Sequence, residues 1–188
     1  SIQEILEKAC VRIMSKKNGF QKLDAIDDIV NDTFITYCQK IMEVKNYTYR
    51  TLAQKIKCSE KTIFSYFTTK SRRKIPYSMA VVLFIVLMQG KEFISVGERK
   101  LFQNKVEHEF YFAFRSAFDS AGGKYLCIEK KYGISHSTAY CYYNERKSPL
   151  LSSAYKASYL LHFELLVPIE IIKQSPITND DVPFPYNI

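Results

Sequence analysis

The chain has 188 residues, of which 47% are hydrophobic, and it contains fourteen Tyr and thirteen Phe but no Trp. This apolar content excludes an intrinsically disordered chain, and six Gly with six Pro are too few for a sandwich of many short strands. The formal net charge is +8 with a pI of about 9.1, which favours an anionic partner.

Hydrophobic spacing in the first half of the chain predicts a series of helices. An N-terminal helix covers residues 1–20, and a longer helix runs from about Leu23 to Val44. Two short helices follow in Thr51–Lys74, separated by about one turn of chain. The wholly apolar run Met79–Met88 is about half as long as a bilayer span, so it predicts a buried helix.

The second half of the chain repeats this order. A long helix from about Ser95 to Phe118 is followed by two short helices in Lys124–Lys147 and by a helix from about Leu150 to Leu166. Residues 171–188 contain three prolines and no helical period, which predicts an extended tail. Alternating strand patterns are absent, so the sequence predicts an all-α fold. Its expected parts are an N-terminal helix (1–20), a first unit (21–92), a second unit (93–170) and the tail (171–188).

Most of the positive charge lies in two segments. Arg50–Lys74 contains eight Lys and Arg against one acid, a net charge of +7, and Lys124–Lys147 contains five against two, a net charge of +3. The rest of the chain therefore has a net charge of −2. Each basic segment coincides with a predicted pair of short helices.

A shift of 76 residues aligns the two basic segments. It aligns CSEKTIFSYFTTK with ISHSTAYCYYNER, so that a serine, a threonine and a tyrosine coincide and aromatic residues align twice more. Pro76 aligns with Pro149 after a three-residue gap. These correspondences predict two copies of one unit, with the order long helix, short helix, turn, short helix, apolar helix.

Each pair of short helices resembles a helix-turn-helix, the motif whose second helix enters the major groove of DNA. In the first copy Ala53 is the small residue at the helix crossing and Ser59 is the N-cap of the second helix. In the second copy Gly133 supplies the turn glycine. Two departures are Lys57, in the glycine position, and Glu129, in the small-residue position. The predicted apolar anchors are Leu52, Ile56, Cys58, Ile63 and Tyr66 or Phe67, then Ile128, Tyr132, Ile134, Ala139 and Tyr142.

The first copy also resembles the motif of the tetracycline-repressor family, whose recognition helix ends in aromatic residues followed by a short turn and a lysine, as in TIFSYFTTK. The resemblance covers Thr51–Lys70, and the chain as a whole does not match that family. It implies that Phe64 and Lys70 lie near the DNA backbone and that Phe67 lies in the core.

The predicted DNA-binding surface consists of the exposed faces of the two second helices and the basic loops that follow them. Lys61, His136 and Asn144 have side chains that can read base edges, whereas the loop cations suit phosphates. Neutralising about six phosphates would make the affinity fall steeply with salt. The predicted contact residues are Ser59, Glu60, Lys61, Phe64, Ser65, Thr68, Lys70, Arg72, Arg73, Lys74, Ser135, His136, Ser137, Tyr140, Asn144, Arg146 and Lys147.

The same features also have structural explanations. Helix-turn-helix units occur in proteins that bind only other proteins, and KSRRK could be a solvated loop. The Tyr-rich stretch STAYCYY suits a core or an interface, and His136 could cap its helix.

The five cysteines are odd in number and widely spaced, with no C-x-x-C and no zinc-ligand spacing to a histidine. We therefore expect small buried side chains in a reducing cytoplasm, near the nucleoid in a bacterium, and no signal peptide. No metal or other cofactor is predicted.

The predicted function is sequence-specific binding of double-stranded DNA, as in a transcriptional regulator or a plasmid or phage maintenance factor. The alternative is a protein-binding module on the same scaffold, such as an inhibitor or adaptor of a nucleic-acid machine. An enzyme is not expected, because the sequence has no paired-His motif, Gly-rich phosphate loop or nucleophile with a nearby base. A homodimer or a protein partner remains open, and no membrane association is expected.

Overall fold

A computed structural model describes residues 20–68 and 73–167, and every regular element within them is an α-helix. The all-α prediction is confirmed for these residues. The N-terminal helix predicted over 1–20, except for its last residue, and the tail predicted over 171–188 lie outside them. The helices are α1 (Phe20–Lys45), α2 (Tyr49–Ile56), α3 (Glu60–Phe67), α4 (Tyr77–Gln89), α5 (Val96–Ser120), α6 (Tyr125–Tyr132), α7 (His136–Tyr143) and α8 (Leu151–Leu161).

The helix ends follow from local chemistry. The long helix α5 begins where Ser95 Oγ accepts a hydrogen bond from the Glu98 N–H at 3.1 Å. Helix α4 ends at Gly90, whose φ of 66° suits a residue without a Cβ atom. The prediction for α8 was wrong at its end: the helix stops at Leu161 instead of Leu166, because His162 adopts a left-handed conformation.

Helix α4 is the central element of the core. Every residue from Tyr77 to Met88 is buried, as the apolar run predicted. The helix packs against α1, α2, α5 and α8, so its whole circumference is covered by protein. Within the described residues, no helix is both long enough and apolar enough to cross a membrane.

The two long helices hold equivalent positions around the core. Helix α1 packs against α4 and α8, and α5 packs against the same two helices. The short helices form the pairs α2–α3 and α6–α7; α3 also packs on α1, and α7 also packs on α5. The buried side chains of all these helices belong to one hydrophobic core.

The segments that lead into α4 and α8 meet in an antiparallel bridge between Pro76 and Leu150. In each segment the residue after the bridge donates its N–H to the carbonyl of the residue before the bridge in the other, both at 2.9 Å. The sequence alignment paired Pro76 with Pro149, which is wrong by one residue, since the N-caps of α4 and α8 are Pro76 and Leu150.

Candidate nucleic-acid interface

Three residues join α2 to α3. Lys57 ends α2 in the left-handed conformation, with φ of 63°, and its N–H donates to the Ala53 carbonyl. Ser59 then begins α3 by accepting a hydrogen bond from the Thr62 N–H at 3.1 Å. The predicted N-cap is confirmed, and Lys57 has the backbone conformation that the turn glycine was expected to supply.

Three residues also join α6 to α7. Gly133 has φ of 71°, and its N–H donates to the Glu129 carbonyl at 3.0 Å. Ser135 accepts a hydrogen bond from the Thr138 N–H at 3.2 Å. The two turns therefore have the same length, the same left-handed first residue and the same serine N-cap.

The predicted apolar anchors lie mainly inside the protein. Cys58 and Tyr132 are half-buried. The small residue Ala53 is also buried, as a helix crossing requires. The buried anchors are Leu52, Ile56, Ile63, Tyr66, Phe67, Ile128, Ile134, Ala139 and Tyr142.

An aromatic cluster joins the two helices of each pair. Tyr49 in α2 contacts Phe64 and Phe67 in α3, with ring centroids 6.2 and 5.4 Å apart. Such contacts fix the helices beyond simple burial. Sequence analysis missed Tyr49, although its counterpart begins α6 at the 76-residue shift. The same contacts recur there between Tyr125 and Tyr140 (5.9 Å) and between Tyr125 and Tyr143 (6.3 Å).

The long helices hold the short pairs through equivalent hydrogen bonds. Gln39 Nε2 in α1 donates to the Phe67 carbonyl at 3.4 Å. Arg115 Nη1 in α5 donates to the Tyr143 carbonyl at 3.3 Å, 76 residues later at both ends. Neither donor was predicted from the sequence, because each acts across about thirty residues.

The exposed face of α3 begins with Glu60, Lys61 and Phe64, and 51% of Phe64 is exposed. Two predicted contact residues differ from the expectation, because Ser65 and Thr68 are half-buried. Ser65 Oγ donates to the Thr62 carbonyl at 2.7 Å. The Thr68 hydroxyl is buried and has no hydrogen-bond partner among the described residues.

The exposed face of α7 contains His136, Ser137, Tyr140 and, at its C-cap, Asn144. These positions follow Glu60, Lys61, Phe64 and Thr68 by 76 residues. Ser135 is half-buried because it caps the helix.

Two of the predicted base-reading side chains already have partners in the protein. His136 Nδ1 lies 2.8 Å from Glu129 Oε2, and this hydrogen bond lowers the pKa of the Glu129 carboxyl. Asn144 Nδ2 donates to the Tyr140 carbonyl at 2.9 Å. Lys61 on α3 is exposed. The α3 face therefore presents a cation, and the α7 face presents a histidine paired with an acid.

Exposed arginines follow both second helices. The Arg73 guanidinium lies 5.7 Å from the centroid of the Tyr66 ring, and the Arg146 guanidinium lies 5.2 Å from that of Tyr140. Lys74 and Lys147 beside them are also exposed. Of the predicted phosphate contacts, Lys70 and Arg72 lie outside the described residues.

Arg99 in α5 is a positioning residue that sequence analysis missed. Its guanidinium Nε and Nη2 donate to the Lys57 carbonyl at 3.3 and 3.2 Å. The first turn, although it lies between α2 and α3, is therefore held by a helix of the other half of the chain. The two residues are 42 positions apart, so no local signal predicts the contact.

No family model, no curated protein and no solved structure matches this chain. Among the described residues, no group of three or more His, Cys, Asp or Glu side chains is placed to hold a metal ion.

Proposed function

We propose that this protein binds double-stranded DNA in a sequence-specific manner through two helix-turn-helix units, α2–α3 and α6–α7. Its role is that of a transcriptional regulator or of a plasmid or phage maintenance factor. The main supporting observation is that one arrangement occurs twice: a three-residue left-handed turn, a serine N-cap, and an exposed second-helix face followed by an exposed arginine.

We further propose that the chain is an internal duplication. Each buried residue of α5 follows a buried residue of α1 by 76 positions, which supports equivalent core faces. The aromatic contacts and carbonyl hydrogen bonds described above recur at the same shift. The matched pairs are Val30 with Val106, Phe34 with Phe110, Ile35 with Tyr111, Cys38 with Phe114 and Met42 with Phe118.

In the proposed binding mode, α3 and α7 enter major grooves with their first two turns. Lys61 donates hydrogen bonds to base acceptors, and Glu60 accepts from a cytosine amino group. Arg73 and Arg146 bind phosphates on either side. Their contacts with tyrosine rings restrict the guanidinium groups before binding, which reduces the entropy lost on contact.

Selection from a random duplex library, followed by a salt titration on the winning sequence, tests the proposal. We expect an enriched motif and a log affinity that falls linearly with log salt, with a slope of about −0.9 per phosphate contacted. Weak binding to every duplex without enrichment would contradict sequence-specific recognition.

A second candidate function is docking of a protein partner on the same faces. Phe64 and Tyr140 are equivalent positions with 51% and 41% exposure, and exposed aromatic side chains are common in protein interfaces. Co-purification of a partner that survives nuclease treatment, together with failure to enrich any duplex, would favour this function over DNA binding.

A further inference from the structure

The contacts between the two halves of the chain are reciprocal. In the first half, α1 contacts α8 of the second half and α4 contacts α5. Helices α1 and α5 hold the first place in their halves, and α4 and α8 hold the last, so the two contacts exchange when the halves exchange. The remaining contact, α4 with α8, pairs equivalent helices. A head-to-tail arrangement would give one of the first two contacts without the other, whereas a two-fold rotation gives both.

The bridge between Pro76 and Leu150 has the same reciprocity at the level of atoms. Each residue is the N-cap of the last helix in its half. The two hydrogen bonds around the bridge, both 2.9 Å long, exchange donor and acceptor when the halves exchange. An antiparallel pair of this kind has a local two-fold axis through its centre.

From this geometry we infer that the two helix-turn-helix units are related by an approximate two-fold axis through the Pro76–Leu150 bridge, and that the chain's target is therefore an inverted pair of unlike half-sites. The inference rests on the proposed function. A rotation about the axis leaves the component of every direction along that axis unchanged, so α3 and α7 face the same side of the molecule. Two-fold repressor dimers read pseudo-palindromic DNA for the same reason.

The path of the chain limits the distance between α3 and α7. The Arg73 N–H lies 2.9 Å from the Ser65 carbonyl in α3, and Arg73 is three residues from the bridge. The Arg146 N–H lies 2.7 Å from the Cys141 carbonyl in α7, and Arg146 is four residues from the bridge. With about 3.6 Å per residue and about 5 Å across the bridge, the two carbonyls are at most roughly 40 Å apart. Major grooves one turn apart, at about 34 Å, fit this limit, and grooves two turns apart do not.

The two half-sites differ because the two faces differ. The first face presents Glu60 and Lys61, and the second presents His136 and Ser137 at the equivalent positions. Only the second face has the Glu129 carboxylate bound to its first residue. Identical half-sites would therefore satisfy one face and leave the other with unmatched polar groups.

The test uses the full chain and the half-sites that library selection defines. Duplexes carry the two half-sites inverted, in direct repeat, or one alone, at centre spacings of about 10, 15 and 20 base pairs. Affinity is measured by fluorescence anisotropy, and stoichiometry is measured by native mass spectrometry. We expect the inverted duplex at about 10 base pairs to bind one chain about a hundred-fold more tightly than a single half-site, because the second contact is intramolecular.

Variants at equivalent positions test the assignment of the two faces. Lys61→Ala is expected to relax base preference in one half-site only, and Ser137→Ala in the other only. Both residues are exposed, so neither change is expected to unfold the protein.

Each outcome decides between the proposals. Enrichment of a single site, equal affinity for direct and inverted repeats, or two chains on one inverted duplex would overturn the two-fold inference and leave DNA binding standing. No enrichment of any duplex would overturn both.

Discussion

Lys57 occupies a backbone conformation that most side chains disfavour. Its φ of 63° lies in the left-handed region, where Gly133 stands in the second pair with φ of 71°. A Cβ atom is strained there, whereas glycine is not. The Lys57 ammonium compensates little, since it is exposed and lies 4.0 Å from the Glu92 carboxylate.

We predict that Lys57→Gly raises the free energy of unfolding by about 0.5–1 kcal/mol, because relief of strain exceeds the added entropy of the unfolded chain. Urea denaturation followed by circular dichroism measures the change. As the matched reverse change, Gly133→Ala should lower the free energy of unfolding by about 1 kcal/mol. A loss of stability in Lys57→Gly would show that its side-chain contacts outweigh the strain.

Glu129 places a negative charge beside the start of α7. Its carboxylate accepts from His136 Nδ1 at 2.8 Å and also lies 3.4 Å from the His136 backbone nitrogen. An acid at a helix N-terminus stabilises the helix, but here it also lies where a phosphate would approach.

Glu129→Gln is therefore expected to raise the affinity for the selected duplex by about two- to five-fold at low salt, since it removes one like charge near the DNA. Fluorescence anisotropy at two salt concentrations checks this. Glu164→Gln removes the same charge outside both short pairs and should leave the affinity unchanged. Equal gains in the two variants would indicate a general charge effect and no special role for Glu129.

At the scale of elements, the short pairs depend on close approach between helices. Ala53 is buried in α2, which packs against both α3 and α4. A larger side chain at this position would separate the helices or adopt a strained rotamer. Gln54, the next residue in the same helix, is exposed.

We predict that Ala53→Leu lowers the free energy of unfolding by about 1–3 kcal/mol through overpacking. Gln54→Leu adds a leucine one position away on the exposed side, and its effect should stay within about 0.5 kcal/mol. Thermal denaturation of both variants measures the difference. If Ala53→Leu kept the wild-type melting temperature, the helix crossing would lie elsewhere.

The elements also show where sequence reasoning was reliable. The ends of α3 and α7 were predictable because a serine cap acts over three residues, and the α4 core because its apolar run is continuous. The end of α8 was not predictable. After His162 the chain turns back, and the Leu166 N–H donates to the Tyr77 hydroxyl at 2.9 Å, a contact across 89 residues.

At the scale of the whole molecule, Arg73 and Arg146 follow the two second helices and flank the bridge. Both are exposed, and both stand over tyrosine rings. The proposed function assigns each of them to one phosphate.

The double variant Arg73→Ala/Arg146→Ala should weaken binding to all duplexes alike and reduce the salt slope by about 2, because two fewer counterions are released. Arg73→Lys/Arg146→Lys keeps both charges and should keep the slope. Anisotropy titrations across a salt series give both values. A wild-type slope in the alanine variant would exclude these residues as phosphate contacts.

The sequence by itself determined the helical class, the two basic segments, the turn positions and most of the buried anchors. Each of these depends on periodicity or on contacts within a few residues, which leave a pattern along the chain. Only the tertiary structure decided that Ser65 and Thr68 are half-buried, that His136 is paired with Glu129, and that Arg99 holds the first turn. It also decided the reciprocal packing of the two halves. Contacts of this kind join residues far apart in the chain, and they arise only when separate hydrophobic faces are buried against one another.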